Sequence, residues 1–139
     1  MPSSSFTPQE RLESIKGGAV SGAVTLAASL LWNGGLVAAG LATAATALLL
    51  NVAVTTFCGF LFGVTYRYIL RQDVRPHLKS GAVGAFALVR GLSQIEGHWR
   101  GAFDLLEGLH LLESFVVFTM AQLAIDRAFQ SGNLRPFKS

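Results

Sequence analysis

The chain has 139 residues, 51% of them hydrophobic and 14% charged, with a formal net charge of +3. Soluble domains carry roughly 25% charged residues, so this balance and a mean hydropathy of +0.48 exclude an ordinary soluble domain. All but Arg90 of the eleven basic residues fall outside the long apolar runs, which marks them as membrane-end charges rather than a nucleic-acid surface.

Residues 1–16 read as a polar tail, with Ser3 to Ser5 and Pro8 in a flexible lead-in and Gln9 to Lys16 as a short amphipathic helix. From Gly17 to Tyr66, fifty residues pass without Asp, Glu, Lys, Arg or His. As one straight helix they would run about 75 Å, whereas about 20 apolar residues suffice to cross a bilayer. The run must therefore cross twice. The first crossing is expected over 17–36, closing at the interfacial Trp32 with Asn33-Gly34-Gly35 as a tight turn. The second is expected over 45–66, ending at an aromatic belt of Tyr66 and Tyr68. Between them, Leu36 to Thr46 reads as a tilted extension of the second helix or as an interfacial segment. A signal peptide competes for the first run, since Arg11 and Lys16 precede it and the small residues from Ala42 to Ala45 imitate a cleavage site. The unbroken apolar character to Tyr66 favours a retained helix.

Arg67, Arg71, Arg75 and Lys79 then recur at intervals of four. This basic loop, 67–79, is expected to meet anionic lipid headgroups, with a protein partner as the alternative, and Pro76 is expected to end the second helix. A third crossing is expected over 80–96, interrupted by Arg90. A link with His98, Trp99 and Arg100 follows, then a fourth crossing over 103–125 carrying Glu107, His110 and Glu113, and a polar tail over 127–139. The fold class is thus an all-α membrane protein, four transmembrane helices arranged as two antiparallel hairpins. Arg11 and Lys16, the basic loop, and Arg127, Arg135 and Lys138 then share one side, so the positive-inside rule puts both termini in the cytoplasm.

Small residues four apart, Gly18 and Gly22, Gly59 and Gly63, Gly81 and Ala85, Ala87 and Gly91, let helix backbones approach closely. They serve packing within the chain, a homo-oligomer, or docking in a larger membrane complex. Arg90 is the costlier feature. A charge at mid-membrane costs about 2.5–3.5 kcal/mol on insertion scales, so it calls for a partner. In a tight hairpin pivoting near Arg100, Arg90 falls level with His110 to Glu113, and Gln94 with Glu107. Arg90 and Gln94 share a helical face, as do Glu107 and His110. Three readings of this polar seam compete: a buried Arg–carboxylate pair holding the hairpin, ligation of haem or chlorophyll by His98 or His110, and a proton or ion path. Glu107-x-x-His110 has the spacing of di-iron bundles, but the second motif and further Glu residues those need are missing, so no metal is expected. The lone Cys58 has no disulfide partner. There is no phosphate-binding glycine loop, zinc-type cluster or nucleophile–base set, which speaks against an enzyme. The Ser, Thr and Asn residues of the first two helices can bond their own backbone and imply no polar pathway.

The stretch Phe62-Gly63-Val64-Thr65-Tyr66-Arg67-Tyr68, with Arg71-Gln72-Asp73, Leu78-Lys79-Ser80-Gly81-Ala82-Val83-Gly84-Ala85-Phe86 and Arg90-Gly91-Leu92 after it, resembles a family of small integral membrane proteins of cyanobacteria with plastid relatives. The resemblance covers about thirty residues and implies a photosynthetic membrane, thylakoid or plasma membrane of a cyanobacterium or a plastid membrane. Asp73 followed by Ser80 and Gly81 is similar to the end of the signature of glycine-rich, four-helix translocase subunits, but the Arg required four residues before Asp73 is absent, since position 69 is Ile. The expected function is a non-catalytic scaffold, assembly or accessory subunit. The alternative is a small oligomeric transporter or channel, or a cofactor-binding membrane protein, built on the polar seam.

Overall fold

The computed structural model describes residues 7–41, 45–69, 76–96 and 105–135, and within them the chain forms four helices. These are α1 (Pro8–Ala38), α2 (Ala45–Ile69), α3 (Pro76–Glu96) and α4 (Leu105–Gln130). Arg71, Arg75 and His98 lie outside the described residues, as does the link around Trp99 and Arg100.

α1 starts at Pro8, well before the expected Gly17. Thr7 caps it, its hydroxyl accepting the Glu10 N–H at 3.4 Å, and Pro8 and Glu10 occupy the first turn. A proline there loses no hydrogen bond, and a carboxylate is favoured by the helix dipole. The helix also runs straight through Asn33-Gly34-Gly35, correcting the expected turn. The Asn33 amide donates to the Ser29 carbonyl one turn back, at 2.8 Å, without breaking the ladder. The true stop is Gly40, whose φ of 74° only glycine adopts cheaply. Leu41 N–H there reaches back to the Leu36 carbonyl at 2.9 Å, the bond of a Schellman cap. Pro76 opens α3, four residues ahead of the expected Ser80, again because a first-turn proline forfeits nothing. α4 runs on to Gln130. It is closed by Gly132 (φ 77°), which folds Leu134 back onto the core.

Among the described residues three helices are long and apolar enough to cross a membrane: α1, α2 over Thr46–Ile69, and α4 over Glu107–Gln130. α3 has 21 residues, including His77, Lys79 and Arg90, and is not one of them.

Small residues set the closest approach. A Cβ at Gly18 would sit 2.8 Å from the Phe60 ring, and one at Gly63 would sit 2.6 Å from Ser21 Cβ. Gly59 lies under Thr25, Gly22 faces the Thr56 carbonyl, and Gly91 lies under Leu111. The touching pairs of α1 and α2 run in opposite directions, from Gly17 against Gly63 to Asn33 against Asn51. Those of α3 and α4 do the same, from Lys79 against Asp126 to Gln94 against Ser114. Gly81 and Ala85 take no part. A Cβ at Gly81 would meet nothing within 4 Å, and Ala85 is exposed.

One half of the bundle, toward the Tyr66 end of α2, is filled with rings. Phe62 stands edge-on to Phe86 at 5.3 Å and tilted to Phe118 at 5.5 Å, within the range where ring pairs attract. Tyr66, Ala87, Ala121 and Ile125 complete this core.

Candidate functional site: a buried polar network shared by four helices

The other half of the bundle is polar inside, and each helix contributes two residues four apart: Ser29 and Asn33, Asn51 and Thr55, Arg90 and Gln94, His110 and Ser114. That spacing puts both members of a pair on one face. Glu113 joins them from α4 and is 2% exposed, while Arg90 is 9% exposed.

The bonds form a chain from cation to anion. Arg90 Nη2 donates to Asn51 Oδ1 and, at 2.9 Å, to Thr55 Oγ1. Asn51 Nδ2 donates to Asn33 Oδ1 at 3.5 Å, and Asn33 Nδ2 donates to Glu113 Oε1 at 3.2 Å. Ser29 Oγ donates to the same carboxylate oxygen at 3.3 Å. On the far side Gln94 Nε2 donates to Asn51 Oδ1 at 2.8 Å and Gln94 Oε1 accepts from Ser114 Oγ at 3.3 Å. His110 Nδ1 lies 3.3 Å from Glu113 Oε2. A buried charge is strongly unfavourable unless paired and hydrogen-bonded, and here the pair is split: two asparagine amides stand between guanidinium and carboxylate. Arg90 Nε, buried, has no hydrogen-bond partner among the described residues.

This corrects the direct Arg90–carboxylate pair read from the hairpin. Arg90 turns toward α2, and Glu113 toward α1. The α3–α4 register is close to the expected one, with Gly91 under Leu111, but Gln94 bonds Ser114 rather than Glu107. Glu107 is buried on α4, two turns before Ser114. Ser29, Asn33, Asn51, Thr55 and Ser114 were missed as site residues. Their hydroxyls and amides do bond their own helices, as expected of such groups in isolation, yet the same atoms also reach across. The signal that finds them is the recurrence of one four-residue spacing on all four helices.

The basic loop needs a correction too. Arg67 is 2% exposed and spends its guanidinium on protein groups rather than standing out from the surface. Its Nη1 donates to the Glu10 carbonyl at 2.8 Å and to Ser14 Oγ, and its Nε donates to the Arg135 carbonyl at 3.0 Å. Lys79 is drawn to Asp126 at 3.2 Å, which also accepts from the Tyr66 hydroxyl at 3.0 Å.

Among the described residues no group of three or more His, Cys, Asp or Glu could hold a metal ion. Of the two histidines expected to hold a haem or chlorophyll, His98 lies outside the described residues, and at His110 Glu113 engages Nδ1 and leaves Nε2 without a described partner. The amides limit what the network can pass along it. A neutral amide donates and accepts but does not shuttle protons as an imidazole or carboxyl does, so the Asn33–Asn51 bridge interrupts proton relay between Glu113 and Arg90. No protein-family model, curated protein or solved structure matches this chain.

Proposed function

We propose that this chain is a non-catalytic scaffold or assembly subunit of a membrane complex, a four-crossing bundle held rigid from within. The observation that carries this reading is the filled interior. Rings occupy one half, the polar network occupies the other, and its central bond is between two amides that do not relay protons. Such a body presents a fixed outer surface. Its small-residue face at Gly81 and Ala85, unused inside the chain, is available for close helix contact.

The packing of α3 supports four crossings: it lies alongside α4 from Lys79 at Asp126 to Gln94 at Ser114. Arg90 and Gln94 are tolerated there because Asn51, Thr55 and Ser114 on neighbouring helices bond the Arg90 Nη2 and the Gln94 amide. With the basic residues of both ends and of the 67–79 loop on one side, both termini are cytoplasmic. The resemblance over residues 62–92 supports a photosynthetic membrane as the setting. Native electrophoresis and cross-linking from the source membrane test the proposal: migration well above the 14.8 kDa chain is expected, and a lone monomer overturns it.

One observation favours the rival, a small oligomeric transporter working through Arg90, Glu107, His110 and Glu113. His110 is 21% exposed beside a sealed carboxylate, as a proton entry point would be. Proton flux into liposomes that falls on Glu113→Gln would favour it. Flux equal for both proteins, or none, counts against it.

A further inference from the structure

At the opposite end of the bundle a cleft of about 380 Å³ opens between the first turns of α1, the buried guanidinium of Arg67 and the segment at Arg135. Two charges in it are already employed. Arg67 is tied to backbone, and Glu13 accepts from Lys16 at 3.0 Å and from the Arg135 N–H at 3.3 Å. Two others are not. Glu10 and Arg135 both line the cleft, and neither side chain makes a hydrogen bond or ion pair among the described residues. The free groups in the cleft are therefore one anion and one cation, a balance that does not favour an anionic ligand over a neutral one.

A second feature leads away from the cleft. Leu12, which lines it, begins a row of outward-facing apolar residues at helical spacing: Leu12, Ile15, Ala19, Ala23, Leu26 and Leu30. Eighteen residues of rise carry this row about 27 Å along α1, close to the thickness of a hydrocarbon core. Arg67, the first charge after the apolar run, fixes the cleft at the depth where that core ends.

We propose that the cleft holds the headgroup of a zwitterionic phospholipid, with an acyl chain lying along the first half of the Leu12–Leu30 row, one leaflet deep. The lipid phosphate accepts from Arg135, and its ammonium donates to Glu10. A primary ammonium does this with N–H bonds, so phosphatidylethanolamine is the fitting class. This rests on the membrane-spanning reading but not on the scaffold role, since a monomer would hold the lipid equally well.

The test is lipid retention. The protein is placed in nanodiscs of mixed phosphatidylethanolamine and phosphatidylglycerol, released into mild detergent and weighed by native mass spectrometry. Phosphatidylethanolamine should be retained about tenfold over phosphatidylglycerol, the size of one charge-assisted hydrogen bond. Glu10→Gln and Arg135→Gln, both at accessible positions, should each lower that retention about tenfold while leaving the melting temperature unchanged. Equal or greater retention of phosphatidylglycerol overturns the proposal, and so does retention unaffected by both substitutions. Soluble phosphoethanolamine is the control for source. If it displaces the bound lipid as well as short-chain phosphatidylethanolamine does, the cleft takes a free zwitterion and the lipid assignment fails.

Discussion

The two halves of this bundle are built from the same four helices and cohere by different physics. Toward Phe62, Phe86 and Phe118 the contact is between rings and methyl groups, which pack in many arrangements of similar energy. Toward Asn33, Asn51, Arg90 and Glu113 it is directional, with donors aimed at particular acceptors on neighbouring helices. In lipid the apolar half gains little from being hidden, because the surrounding chains are as apolar as its own side chains. The contrast therefore assigns roles: ring packing makes the bundle dense, and the polar bonds decide which helix lies beside which, and at what depth.

Three substitutions put this division under strain. Glu113→Ala should do most damage, about 3–5 kcal/mol, because it removes the counter-charge of a buried arginine and strips two donors of their acceptor. Equilibrium unfolding in detergent measures it, and Glu113→Gln, which keeps the acceptor oxygen, should cost clearly less. Phe118→Ala should follow at about 3 kcal/mol through the cavity it leaves, with the helix register intact by cross-linking of Gly91 and Leu111 replaced by cysteines. A shifted register in this variant would mean that the rings, too, specify pairing. Lys79→Ala should cost least, about 0.5 kcal/mol and less in high salt, since its bond to Asp126 is partly exposed. A loss as large as that of Glu113→Ala would erase the distinction between the two halves.

Much of the architecture was legible in the amino-acid order, and the exceptions share a cause. The charge-free run from Gly17 to Tyr66 required two helices, and Arg90 with His110 and Glu113 announced a polar interior. What misled was reading local signals without neighbours. Asn33-Gly34-Gly35 spells a turn in water, but in this bundle the Asn33 amide bonds Ser29 and Glu113, and the helix continues. Residues 9–16 were legible as a short amphipathic helix, but not that Thr7, Pro8 and Glu10 start a single helix that runs unbroken into the first crossing. Arg67 heads a row of basic residues and so looked like a surface charge. Its carbonyl partners, in α1 and at Arg135, are too distant in the chain to be suggested by any local pattern.

That last contact also orders events in time. Arg67 is translated after the segment bearing Glu10 and Ser14 and well before Arg135, the carbonyl its Nε needs. For the whole of α3 and α4 the growing chain carries this guanidinium incompletely bonded, and only when residue 135 has emerged is it fully tied. The packing of one arginine thus ties the first turns of α1 to the segment that follows α4, so the two ends of the described chain are joined through the middle of its sequence.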